Sequence, residues 1–132
     1  MMNPPRILCV VENANFLACL SQRLEHFGLE VVTACHRVDA LLKLSEHKGK
    51  FDAILTNNEM VEMGGLDLVR FVREMGFSGR IVVMSGIFSV EDFREYRPYS
   101  VSDFLRRPFD TNLLIQMLGG SIAFTGPDYY VL

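Results

Sequence analysis

Five short apolar runs, each followed by a stretch with helical spacing, restrict the folds open to this chain more than any other feature. Residues 6–11 form a continuous apolar run after Pro4-Pro5, and such runs read as strands buried on both faces. Runs at 29–34, 51–56, 80–84 and 102–105 repeat the pattern. Asn13 is placed to cap a helix that reaches about Phe27, with Phe16, Leu17, Leu20 and Leu24 on one face. Gly28 then stands where a left-handed residue ends a helix. Val38, Leu41, Leu42 and Leu44 give the apolar face of a second helix, and Leu66, Leu68, Val69 and Val72 that of a third. Ser89 with Asp92 forms a variant capping box for a short helix that must end before Pro98. Asp110 caps a last helix through Leu113, Leu114, Met117 and Leu118, ended by Gly119-Gly120.

Strict alternation of this kind demands right-handed crossovers and a parallel sheet covered on both faces. The predicted class is therefore α/β, as one domain over 1–120. In such sheets the loops at the carboxyl ends of the strands gather into one crevice. Here those loops begin at Val11, Asn57, Ser85 and Arg107, which confines the search for function to four short segments. Residues 121–132 have no helical period and read as a loosely ordered tail, with a docking peptide around Tyr129-Tyr130 as the alternative.

Composition excludes several classes of function. Hydrophobic residues make up 49% of the 132 and charged residues 22%, a soluble globular balance. A net charge of -3 argues against a nucleic-acid partner, because phosphate contacts need clustered Lys and Arg, and Arg106-Arg107 is too short to supply them. No apolar stretch approaches the roughly 18 residues needed to span a bilayer. The start of the chain lacks the pattern of a signal peptide. Cys9, Cys19 and Cys35 form no CxxC pair and leave an odd thiol under any pairing. They are expected as buried free thiols in a reduced, cytoplasmic protein. His26, His36 and His47 lie at no metal-ligand spacing.

Taken in order, the four strand-end segments resemble the response-regulator receiver domain, over residues 6 to 118. Val10-Val11-Glu12-Asn13 stands where that family places two acidic residues, and Phe51-Asp52-Ala53-Ile54-Leu55-Thr56-Asn57 puts Asn57 at the phosphate-accepting aspartate. Met60-Val61-Glu62-Met63-Gly64-Gly65 is similar to the Met-Pro loop, with Val61 for the proline. Met84-Ser85-Gly86 matches the hydroxyl residue, and Asp103-Phe104-Leu105-Arg106-Arg107-Pro108-Phe109 matches the Lys-Pro-Phe ending, with Arg107 for lysine. The resemblance implies a three-layer flavodoxin-like (βα)5 sheet in strand order 2-1-3-4-5 and a cis Arg107-Pro108 bond. It also implies a switch role for Ser85 and Phe104, although a phenylalanine, with no hydroxyl to keep wet, is more at home buried in the core.

The substitutions dismantle the chemistry that the resemblance implies. That chemistry is phosphoryl transfer to a carboxylate beside a divalent metal. Asn57 has no anionic oxygen and is a poor nucleophile. Val11 has no ligand atom, which leaves Glu12 as the remaining acidic group. Mg2+ prefers anionic oxygens, so its binding is expected to be weak or absent, with no cofactor and no metal site. Arg107 is placed either to fork onto Glu12 or to point to solvent. Ser85 either bonds Asn57 or satisfies the adjacent backbone.

The reading that follows is a non-enzymatic pseudo-receiver in two-component, phosphorelay-type signalling, acting by protein–protein contact without phosphorylation. Its partner would be a histidine kinase, a phosphotransfer protein or an output protein. The docking face implied by the resemblance lies on the fourth helix, fifth strand and fifth helix, where Phe88, Phe93, Tyr96, Tyr99 and Phe109 cluster, and it could also serve a homodimer. A small-ligand crevice and residual phosphotransfer remain as alternatives.

Overall fold

The protein is described by a computed structural model covering residues 4–60 and 64–119. Val61, Glu62, Met63 and the tail 121–132 lie outside the described residues.

Strands β1 (Arg6–Val10), β2 (Glu30–Ala34), β3 (Ala53–Asn57), β4 (Arg80–Ser85) and β5 (Asp103–Arg106) form one sheet in the order β2-β1-β3-β4-β5. All four pairings are parallel. The connections are helices α1 (Ala14–His26), α2 (Arg37–Glu46), α3 (Gly65–Glu74) and α4 (Val90–Tyr96), with α4 running into a single 3-10 turn, Arg97–Tyr99; α5 (Thr111–Met117) follows β5. The strand order reverses between β1 and β3, which opens the crevice above Val10 and Asn57.

The sheet divides the core in two by the two-residue period of its strands. From β1, Ile7 and Cys9 pack with Leu20, Leu24, Leu114 and Ile115 of α1 and α5. Leu8 and Val10 pack on the other face with Leu68, Val69, Val72 and Tyr96 of α3 and α4. Caps fix where the helices start. The Asn13 side chain accepts from Phe16 N at 2.9 Å, and Asp110 accepts from Asn112 N at 2.8 Å. Both arms of the Ser89–Asp92 capping box are present, at 2.8 and 3.0 Å. The cap of α2 is a histidine, whose Nδ1 accepts from Asp39 N at 3.2 Å.

Arg73 ties the far end of the sheet together. Its Nε donates to Tyr99 O at 2.8 Å, Nη1 to Phe77 O and Gly79 O at 2.9 and 2.8 Å, and Nη2 to Ser100 O at 2.9 Å. Burial lowers its pKa below the usual guanidinium range, because carbonyl dipoles replace only part of its hydration.

Two sequence expectations need correction. Val38 and Leu42 are exposed, at 52% and 54%, so they do not form the buried face of α2. Ala40 and Leu44 do so, with Leu41 half-buried, and Val38 and Leu42 form the next i, i+4 row outward. Cys19 and Cys35 are exposed as well; of the three thiols only Cys9 is buried, on β1. Its pKa is pushed up to about 12 by burial alone.

Candidate functional site

The crevice is built by the residues that leave β1, β3, β4 and β5. Val11 is 1% exposed, and its N–H donates to Ala34 O at 3.0 Å, which anchors the chain before Glu12 and the Asn13 cap. The side chain of Val11 presents only carbon there. Asn57 ends β3 and is 7% exposed. Its Oδ1 is buried and has no hydrogen-bond partner among the described residues. A buried amide oxygen without a donor costs about 1–3 kcal/mol, so this atom is an unsatisfied acceptor where the resemblance implies a nucleophile.

The next two residues reach across to β4. Asn58 N donates to Met84 O at 2.7 Å, and Asn58 Oδ1 accepts from the Tyr96 hydroxyl at 2.7 Å. Burial, and secondarily the charges of Asp92, Glu95 and Asp67, raises the Tyr96 pKa far above the usual phenol range, so the hydroxyl remains a donor. Gly65 allows this approach: a Cβ there would meet the Asn57 carbonyl and lie 2.8 Å from the Tyr96 hydroxyl.

Ser85 takes the second of its two sequence readings. Its hydroxyl contacts Ile87 O at 2.6 Å and accepts from Ile87 N at 3.3 Å, closing the Ser85-Gly86-Ile87 turn on itself. It also lies 3.2 Å from Glu59 Oε1. Glu59 is a site residue that sequence reasoning missed; the available signal was its position two residues beyond Asn57.

The Arg107–Pro108 bond is cis, and Arg107 N donates to Ser85 O at 2.9 Å, which joins the β4 and β5 ends of the crevice. The guanidinium lies over Phe16, with Cζ 5.3 Å from the ring centroid, while Nε is buried without a hydrogen-bond partner among the described residues. Arg107 is therefore turned toward α1, not out to solvent. The structure thus gathers Val11, Glu12, Asn57, Ser85 and Arg107 onto the four crevice segments.

The aromatic cluster divides. Phe104 is half-buried, with edge contacts to Phe93, Phe88 and Tyr96 at 4.9, 5.5 and 5.6 Å. Tyr96 is 1% exposed and Phe109 is 4% exposed, so neither offers a docking surface. Phe109 packs in the layer with α1 and α5, on the opposite side of the sheet from Phe104. Phe93 is exposed, while Phe88 and Tyr99 are half-buried. Ile87 and Val90, passed over by a search for aromatics, are the most exposed large apolar residues beside Phe93.

A five-stranded parallel sheet in this order, carrying a hydroxyl residue after β4 and a cis-proline turn after β5, defines an α/β domain of the receiver type. The response regulator receiver domain model matches residues 7–119, and the chain belongs to that family. It is 31% identical over 105 residues to the transcriptional regulatory protein PrrA of Mycobacterium tuberculosis, a match covering 80% of this chain and 44% of that protein. It is 28% identical over 119 residues to ZraR of Salmonella typhimurium, covering 90% of this chain and 26% of that one. The chain thus spans less than half the length of these curated relatives. Among solved structures, a Pseudomonas putida response regulator receiver protein matches with a TM-score of 0.80 and 28% identity, covering 90% of this chain and 98% of that one. The Vibrio cholerae chemotaxis protein CheY4 matches with a TM-score of 0.80 and 26% identity, covering 88% and 97%.

Proposed function

We propose that this domain is a pseudo-receiver, a docking module of two-component signalling that works without accepting phosphate. One observation carries the reading. The side chain at the end of β3 is an asparagine, buried to 7% exposure, whose oxygen finds no donor among the described residues. An amide there has no anionic oxygen with which to attack phosphorus, and burial removes any route by which solvent could activate it.

The donor set does not suit a divalent metal. Val11 contributes no ligand, Asn57 brings a neutral oxygen, and Glu59 is turned toward Ser85. No group of three acidic, His or Cys side chains able to hold a metal occurs among the described residues. Mg2+, which prefers several anionic oxygens, should bind weakly or not at all. Arg107 adds a fixed positive charge to the same crevice, and a fork from Arg107 onto Glu12 would neutralise that carboxylate without an ion.

Output would then pass through contact, with a histidine kinase, a phosphotransfer protein or an output protein as partner, in the cytoplasm and without catalysis by this domain. The surface best placed for it is the apolar ledge of Ile87, Val90 and Phe93 on the α4 side of β5. No described helix is long and apolar enough to cross a membrane, which suits such a module.

The test is incubation with Mg2+ and acetyl phosphate, then with beryllofluoride, followed by intact mass and backbone amide NMR. The expected outcome is no mass gain and no shift at Asn57, Ser85 or Arg107. A metal-dependent phosphoryl adduct would overturn the reading.

A further inference from the structure

We propose that Asn58 and Glu59 form a permanent two-point tether, which holds the segment after β3 to the β4–α4 segment and so sets the position of Ile87, Val90 and Phe93. The inference deepens the docking reading and rests on it for its purpose, but not for its geometry.

The first point is Asn58. Its backbone N–H donates to Met84 O at 2.7 Å, and its side-chain oxygen accepts from the Tyr96 hydroxyl at 2.7 Å. Tyr96 is the last residue of α4 and is 1% exposed, so this bond fixes the end of that helix against the loop after β3. Its ring meets Phe104 at 5.6 Å, and Phe104 meets Phe93 at 4.9 Å, which carries the constraint to the exposed ledge through packed rings.

The second point is Glu59, a positioning residue that acts through Ser85. A hydroxyl has one proton and two lone pairs. Ser85 Oγ faces two acceptors, Ile87 O at 2.6 Å and Glu59 Oε1 at 3.2 Å, and one donor, Ile87 N at 3.3 Å. The one proton serves the two acceptors in turn: pointed at Glu59 Oε1 it ties the hydroxyl to the segment after β3, while Ile87 N still donates to the same oxygen. The backbone N–H and C=O of Ile87 both meet the hydroxyl that also reaches Glu59. The chain thus supplies its own anion at the hydroxyl that ends β4, and no added group is needed to order the turn that presents Ile87.

The test uses amide hydrogen exchange by NMR on the full chain and on Glu59→Ala, Glu59→Gln, Tyr96→Phe, Ser85→Ala and Glu59→Ala/Ser85→Ala. Loss of one hydrogen bond should raise exchange over residues 86–93 roughly fivefold in Glu59→Ala and in Tyr96→Phe, with β1 and β3 amides unchanged. Glu59→Gln keeps an acceptor oxygen and should restore most of the protection. Because Glu59 works through Ser85, its removal in the Ser85→Ala background should add less than twofold. Exchange within twofold of the parent in both Glu59→Ala and Tyr96→Phe would overturn the tether. So would a Glu59→Ala effect that persists undiminished without Ser85. Either result leaves the phosphodonor experiment untouched, and a phosphoryl adduct there would overturn the docking reading while leaving this geometry standing.

Discussion

Arg73, at the amino-terminal end of the sheet, and Arg107, at its carboxyl end, both lie against a phenylalanine ring, at 5.6 and 5.3 Å from the centroid. There the likeness stops. Arg73 gives hydrogen bonds to four backbone carbonyls, while the buried Nε of Arg107 finds no hydrogen-bond partner among the described residues. Asn57 Oδ1, at the same end, is also without a donor among the described residues. Unsatisfied buried polar atoms cost free energy, and natural domains concentrate them at functional surfaces. Arg6 Nε, at the amino-terminal end, is likewise buried without a hydrogen-bond partner among the described residues, but it lies 3.2 Å from Glu30 Oε1. The contrast therefore rests on Arg73 as a fastening and on Arg107 and Asn57 as the less engaged pair.

The comparison would break first at Arg73. Arg73→Ala should lower stability by about 2–4 kcal/mol, since it strands four carbonyls, and a urea titration would measure it. Arg73→Lys should recover little, because an ammonium cannot reproduce the planar fork. A loss below about 1 kcal/mol would mean that water satisfies those carbonyls equally well.

Asn57→Leu tests the other end. It removes an unsatisfied acceptor at similar volume, so stability should hold or rise by up to about 1 kcal/mol in the same titration. A clear loss would show that the amide is engaged after all. Arg107→Ala comes next, with a loss of about 0.5–1 kcal/mol for the contact with Phe16. A loss as large as that of Arg73→Ala would erase the distinction between the two ends and favour the fork onto Glu12.

The last test concerns Cys9, in the core between the two ends, whose titration leaves stability unchanged at neutral pH and lowers it only in alkali. Its pKa is raised from 9.0 to about 12, so the folded state holds the thiol proton where the unfolded state releases it. The stability it contributes is complete below pH 9.0 and is lost as pH rises toward about 12. In native protein at neutral pH, thiol labelling should modify Cys19 and Cys35 and spare Cys9 until denaturant is added.

Much of this was legible in the residues. The strand order and the five helices follow from alternation and family resemblance, and the Asn13, Ser89–Asp92 and Asp110 caps follow from local chemistry. The failures share one cause. Val38 and Leu42 were placed inside because helical spacing gives a stripe without saying which edge of the stripe faces the sheet. Tyr96 and Phe109 enter the candidate docking cluster, of which several must be core, because composition cannot tell which aromatics those are. Glu59 was missed because its role is set by Ser85, 26 residues away, and its place two residues beyond Asn57 is the one local sign of it.

The spacing of the bonds of Arg73 bears on time as well as on equilibrium. Its carbonyl partners lie 26, 4, 6 and 27 residues downstream, so the full set closes only after β4 is laid down and the chain has returned past α4. Contacts that form after the rate-limiting step leave the speed of folding alone and govern how long the folded state persists. If that closure follows the rate-limiting step, Arg73→Ala leaves the folding arm of a chevron unchanged and raises the unfolding arm, and a slowed folding arm would place the closure earlier.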